Sequence, residues 1–92
     1  MHRLPKVGVY ELSKAQIRQY ETQQISQIMR VARDNHIPIN TRQERANFDN
    51  EILEILPNAS ISHIHWALRY LIEKYFYSNG KPKAKYVKEY IR

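Results

Sequence analysis

The side chains able to do chemistry in this sequence are few, and their spacing narrows them further. Four histidines stand at 2, 36, 63 and 65. His63 and His65 look like a metal pair in text only. On a helix, two positions are about 200° apart, so the rings point to opposite sides. Helical zinc pairs use i and i+4, and those positions hold Ala67 and Arg69. The chain has no cysteine, which excludes disulfides, thiolate metal sites and a cysteine nucleophile. Its two glycines, Gly8 and Gly80, cannot build a glycine-rich phosphate loop. The aspartates, Asp34 and Asp49, sit in no catalytic pattern, and the serines have no matching His/Asp arrangement. The expectation is a protein that is not an enzyme and takes no cofactor and no metal.

A binding chemistry is present instead. On a helix through Ile64, the only tryptophan, Trp66, and Tyr70 and Tyr77 fall within about 40° of one another, away from the aliphatic side. Aromatic rings with polar tips do not usually face water in a row. Either the N-terminal arm, the C-terminal segment or a second subunit covers this face, or it is a contact surface.

Charge is the second signal. Fifteen Lys and Arg against nine Asp and Glu give +6 in 92 residues. Residues 1–33 and 81–92 each carry +4, and residues 41–60 carry −2. A basic excess favours nucleic acid or another anionic partner by long-range attraction.

Four elements would position these residues. The first helix is expected over about 12–33, capped by Ser13, with Ile17, Tyr20, Ile25, Ile28, Val31 and Ala32 on one face. Pro38 bars its continuation, and Ile37–Asn40 reads as an extended connector. A second helix over about 41–56 starts at Thr41, with Glu44 completing a capping box, and turns Phe48, Ile52, Ile55 and Leu56 inward until Pro57 stops it. The third, about 60–77, carries an apolar stripe of Ile61, Ile64, Leu68, Leu71, Ile72 and Tyr75. The run Ser78-Asn79-Gly80-Lys81-Pro82 is a turn signal. The segment after it is either a fourth helix over about 82–91, with Tyr86, Val87, Tyr90 and Ile91 at helical spacing, or the return strand of a β-hairpin. The expected fold is therefore mainly α, three to four amphipathic helices in one domain over 11–92, behind an irregular arm over 1–10.

The stretch from Ile52 to Lys74 has an apolar helix end, a short turn, a serine cap, a β-branched core residue at Ile64 and Leu68-x-x-Leu71. It resembles the helix-turn-helix of winged-helix DNA-binding regulators over about residues 37–87. Tyr75 to Val87 then takes the place of the wing, and Ile37-Pro38-Ile39 that of the short first strand. Two features depart from the family: Thr41–Leu56 is long for its helix, and Pro57-Asn58 stands where a single glycine is common.

That resemblance implies a set of roles. Ser62, His63, His65, Trp66 and Arg69 would meet base edges, with Arg69 placed for guanine and Tyr70 for phosphate. Lys81, Lys83 and Lys85 would follow the backbone or minor groove, and Arg42 and Arg45 would reach phosphate. The expected partner is double-stranded DNA, in a transcriptional or replication regulator, with the first helix available for a homodimer. The alternative is a helical bundle that binds another protein as inhibitor, immunity factor or adaptor, its basic ends steering it to an acidic surface. No apolar run approaches the ~18 residues a membrane helix needs, and the N-terminus has no signal-peptide core, so a cytoplasmic protein is expected.

Overall fold

The computed structural model describes residues 14–91. The expected arm over 1–10 and the expected cap Ser13 lie outside them. Among the described residues the chain is mainly helical, in four elements: α1 (Lys14–Asp34), α2 (Arg42–Ile55), α3 (Ile61–Tyr75) and a C-terminal π-helix (Tyr86–Ile91). None of these helices is long and apolar enough to cross a membrane.

Each boundary has a local cause. Helix α1 contains no glycine or proline and ends in a Schellman-type cap. His36 takes the left-handed conformation, φ 53°. Its N–H bonds the Arg33 carbonyl and the Ile37 N–H bonds the Ala32 carbonyl, each at 3.0 Å. This turns the chain so that Ile37 and Ile39 enter the core. Helix α2 opens on the expected capping box: the Glu44 N–H bonds Thr41 Oγ1, and the Thr41 N–H bonds Glu44 Oε1 at 2.9 Å. It closes at Leu56, ahead of Pro57. Helix α3 ends at Tyr75, two residues short of expectation, because Phe76 turns extended.

The core is Ile28 and Ala32 from α1, Phe48 and Ile52 from α2, and Ile64, Ala67, Leu71 and Tyr75 from α3. These are helical stripes at i, i+3, i+4 and i+7, as the periodicity requires. The stripes outrun the core at their ends. Ile17 and Tyr20 on the apolar face of α1 are exposed, as are Ile55 and Ile61, expected inside, because no described element lies opposite them.

The β-wing is not found. Asn79-Gly80 makes the turn, with Gly80 at φ 91°, where a side chain would be strained. The Tyr77 N–H bonds the Lys81 carbonyl at 2.8 Å, and Phe76 and Pro82 form a single antiparallel bridge. Pairing stops there, and the Tyr86 N–H already bonds the Lys83 carbonyl to begin a helical turn. Pro82 offers no donor to a ladder. The helical winding brings Tyr86 and Tyr90, four residues apart, to one side, where both are buried. They pack with Tyr75 and Phe76, the Phe76–Tyr86 centroids 4.7 Å apart and the Tyr75–Tyr90 rings edge to face at 5.4 Å.

Two of these tyrosines differ in how their hydroxyls are satisfied. Tyr86 Oη accepts the Ile39 N–H at 2.8 Å. The Tyr90 hydroxyl is buried without a hydrogen-bond partner among the described residues. Tyr86→Phe would orphan a buried backbone N–H, so a loss of about 1–3 kcal/mol is expected in urea unfolding. Tyr90→Phe removes a polar atom that bonds nothing there, so it should cost no more than about 0.5 kcal/mol and is expected to stabilise. A loss from Tyr90→Phe equal to that from Tyr86→Phe would contradict this packing.

Burial also holds the Tyr90 hydroxyl well above its ordinary pKa of 10.0, with Tyr86 and Tyr75 adding to the effect. Burial raises Tyr86 as well, opposed by the Ile39 N–H bond. Because the folded values lie above the unfolded one, the folded chain holds these protons longer as pH rises. Their contribution to stability is whole below about pH 10 and is lost above it. Unfolding midpoints in urea should hold to about pH 9 and fall beyond about pH 10, less steeply in Tyr90→Phe; an unchanged slope in that variant would refute the assignment.

Candidate interaction face

Helix α3 has a buried side and an open side. Ile64, Ala67, Leu71 and Tyr75 are inside; Ser62, His65, Trp66, Arg69, Tyr70, Glu73 and Lys74 face outward. Trp66 and Tyr70 sit one turn apart, with ring centroids at 5.6 Å and planes tilted by 34°. They are 43% and 42% exposed, so each ring keeps a free surface. The C-terminal segment does not cover them, since its tyrosines pack at the Tyr75–Phe76 end. Tyr77, expected on the same helix face, lies beyond the helix end in the turn, exposed, with the Lys83 ammonium 5.6 Å from its ring centroid.

The face extends onto α1. Tyr70 forms one wall of a groove of about 320 Å³ whose other wall is Thr22, Ile25, Ser26 and Met29. The Trp66–Tyr70 pair therefore continues into the flank of α1 as one apolar surface. No motif in the sequence announces this groove. Ile25 and Met29 are an i, i+4 pair, but only the packing of α1 on α3 brings them to Tyr70.

The charged residues near the face are largely engaged. The Arg69 guanidinium lies 5.2 Å from the Trp66 ring centroid, and its Nε is 3.8 Å from Glu73 Oε2. The pair is exposed, so it contributes little to stability, but it holds Arg69 along the helix. His65 Nε2 is 2.8 Å from Asp49 Oδ2, tying α3 to α2. His63 goes elsewhere, half-buried beside Gln24, Gln27 and Ile28. The two histidines thus diverge, as their spacing requires. Among the described residues no group of three His, Cys, Asp or Glu is placed to hold a metal ion.

The remaining expected site residues do not converge on this surface. Arg42 and Arg45, grouped in the sequence as phosphate contacts, have different fates. Arg42 is exposed at the first turn of α2. Arg45 is half-buried: its Nε–H donates to the Ile39 carbonyl at 2.8 Å, and its guanidinium lies 4.9 Å from the Phe76 ring centroid. Lys81 is exposed on the turn, Lys83 sits against Tyr77, and Lys85 is half-buried.

The chain matches no protein-family model, no curated protein and no solved structure.

The two arginines give a direct check on which residues are structural. Arg45→Ala loses a half-buried hydrogen bond and a cation–π contact, so about 1–3 kcal/mol of stability should disappear. Arg42→Ala should stay within about 0.5 kcal/mol of the parent chain. Chemical denaturation of both variants decides it; equal effects would mean that Arg45 is not the clamp between connector, α2 and Phe76.

Proposed function

We propose that this chain is a helical protein-interaction module whose contact surface is the open side of α3. The observation that carries this reading is the half-exposed Trp66–Tyr70 pair, continuous with the apolar flank of α1 at Ile25 and Met29. Trp, Tyr and Arg are the residues that dominate protein–protein hot spots, and an apolar patch beside them excludes water from the contact. On this face Arg69 lies beside Glu73, His65 is hydrogen-bonded to Asp49, and Lys74 stands at the C-terminal end of the helix. Such a surface suits a partner with an apolar centre. The lysines at 81, 83 and 85 lie toward one end and favour an acidic rim there.

A second reading keeps duplex DNA as the partner. It is favoured by the net charge of +6 and by Lys81, Lys83 and Lys85 following the exposed ring of Tyr77. In it, α2, the turn and α3 act as a helix-turn-helix, with Ser62, His65, Trp66 and Arg69 toward the bases. It ranks second because no wing supports it and because Arg45 and His65 are already committed within the fold.

The test is a photo-reactive phenylalanine analogue at position 70 of the full chain, irradiated in cell extract before and after nuclease treatment. Expected is a discrete protein adduct that survives nuclease, is absent when the probe stands at Arg42, and falls about 30-fold or more with Trp66→Ala, the loss of a ~2 kcal/mol hot spot. Absence of an adduct at position 70 overturns the reading. A Trp66 fluorescence change on adding duplex DNA at low salt, weakening steeply as salt rises, replaces it with the DNA reading.

A further inference from the structure

Helix α1 is longer than the core it serves. It packs inward from Ile28 on, yet every residue from Lys14 to Gln23 is exposed. Ten residues make about 15 Å of exposed helix. A helix shorter than ~12–15 residues is marginal in water unless an apolar face is covered. The exposed half carries such a face. Ile17 is 44% exposed and Tyr20 59% exposed, three residues apart. They continue in register into Gln24 and Gln27, the four lying within about 80° of the helix circumference.

Gln24 and Gln27 form one side of a separate groove, of about 210 Å³. Leu56, Pro57 and Ala59 of the α2–α3 turn form the other side. This groove and the exposed half-helix therefore share one flank of α1. The opposite flank, at Thr22, Ile25 and Met29, faces the α3 surface described above. The two surfaces are distinct.

The charge pattern selects the occupant. Ile17, Tyr20, Gln24 and Gln27 carry no charge, nor do Leu56, Pro57 and Ala59. Lys14 and Arg18 lie off this flank on the helical wheel, and Glu21 borders it beside Ile17. In a chain of net +6, a site for an acidic partner or for nucleic acid would present Lys or Arg, and none lines this groove, where His63 is the one ionisable side chain. The flank fits a neutral, apolar helix, and the molecule itself exposes one.

We propose that two copies of this chain pair antiparallel along α1. Ile17 and Tyr20 of one chain lie opposite Gln27 and Gln24 of the other and cover the groove beside them. Both halves of the contact are then used twice across one two-fold axis. A parallel pair would set the two α2–α3 turns against each other and leave both grooves open. The spacing of 3, 4 and 3 residues along the seam is the knobs-into-holes spacing of paired helices.

Sedimentation equilibrium of the full chain tests the pairing. The expected mass is twice the chain's 11.1 kDa, returning to the single value in Tyr20→Glu. Tyr20 lies outside the core, so that variant should keep the parent's urea midpoint for the monomeric fold. Orientation is read by disulfide formation, since the chain has no cysteine of its own. Ile17→Cys mixed with Gln27→Cys should give the mixed disulfide in preference to either self-disulfide. A monomer at all concentrations, a dimer unchanged by Tyr20→Glu, or a preferred self-disulfide of Ile17→Cys would each overturn the proposal. Loss of the position-70 adduct alone would not, because that probe sits on α3, facing the other flank of α1.

Discussion

The structure turns on one aromatic cluster, Tyr75, Phe76, Tyr86 and Tyr90. In a chain of 92 residues the core is small, and four large rings supply apolar area that aliphatic stripes alone would not. Their polar handles gather the rest of the fold. Tyr86 Oη receives the Ile39 N–H of the connector. The Tyr90 carbonyl accepts a hydrogen bond from His36 Nδ1 at 2.9 Å, which places the ring proton on that nitrogen. His36 in turn is the left-handed residue that ends α1. The cluster thus ties together the residue that ends α1, the connector as it enters the core, and the C-terminal segment. Two tyrosines four apart can share one face of a helical turn, and that choice removes the wing.

How much of this was readable in the sequence depends on what kind of fact it is. Periodicity states which side of a helix is apolar, and it located Phe48, Ile52, Ile64 and Leu71 correctly. It does not state whether another element lies opposite. The same rule therefore placed Ile55 and Ile61 inside and grouped Ile17 and Tyr20 with the buried Ile28, where no described element meets them. Local chemistry was equally legible: Thr41 with Glu44 reads directly as a capping box, and Asn79-Gly80 as a turn. The choice between wing and helix was not, because it rests on contacts between residues far apart in the chain, Ile39 with Tyr86 and His36 with Tyr90.

The candidate surface divides in the same way. The grouping of Trp66 with Tyr70 followed from the 100° rotation per residue, and so did the divergence of His63 from His65. The fate of the cations did not. Arg42 and Arg45 are one turn apart on the same helix, yet only Arg45 reaches the Ile39 carbonyl and the Phe76 ring. A sequence shows how many cations there are; it does not show which are already held. Arg45 is held by the connector, while on the α3 face His65 is bonded to Asp49 and Arg69 lies exposed beside Glu73. The excess charge of the chain sits in its two end segments.

That separation has a mechanical consequence. Charge near an apolar face, rather than on it, changes how fast a partner arrives more than how long it stays. The apolar contact at Trp66, Tyr70, Ile25 and Met29 would set the dissociation rate. The two flanks of α1 then serve different ends. In the proposed pair, one would complete the α3 face and the other would carry the seam, so that both α3 faces stay open. An antiparallel pair would present that face twice, about a two-fold axis. A partner with two sites at matching separation would be held by both at once, with the second contact made at the effective concentration set by a rigid helix rather than a flexible linker. A helix that outruns its own core is wasteful in a monomer. In a pair it becomes the spacer that sets the distance between two binding faces.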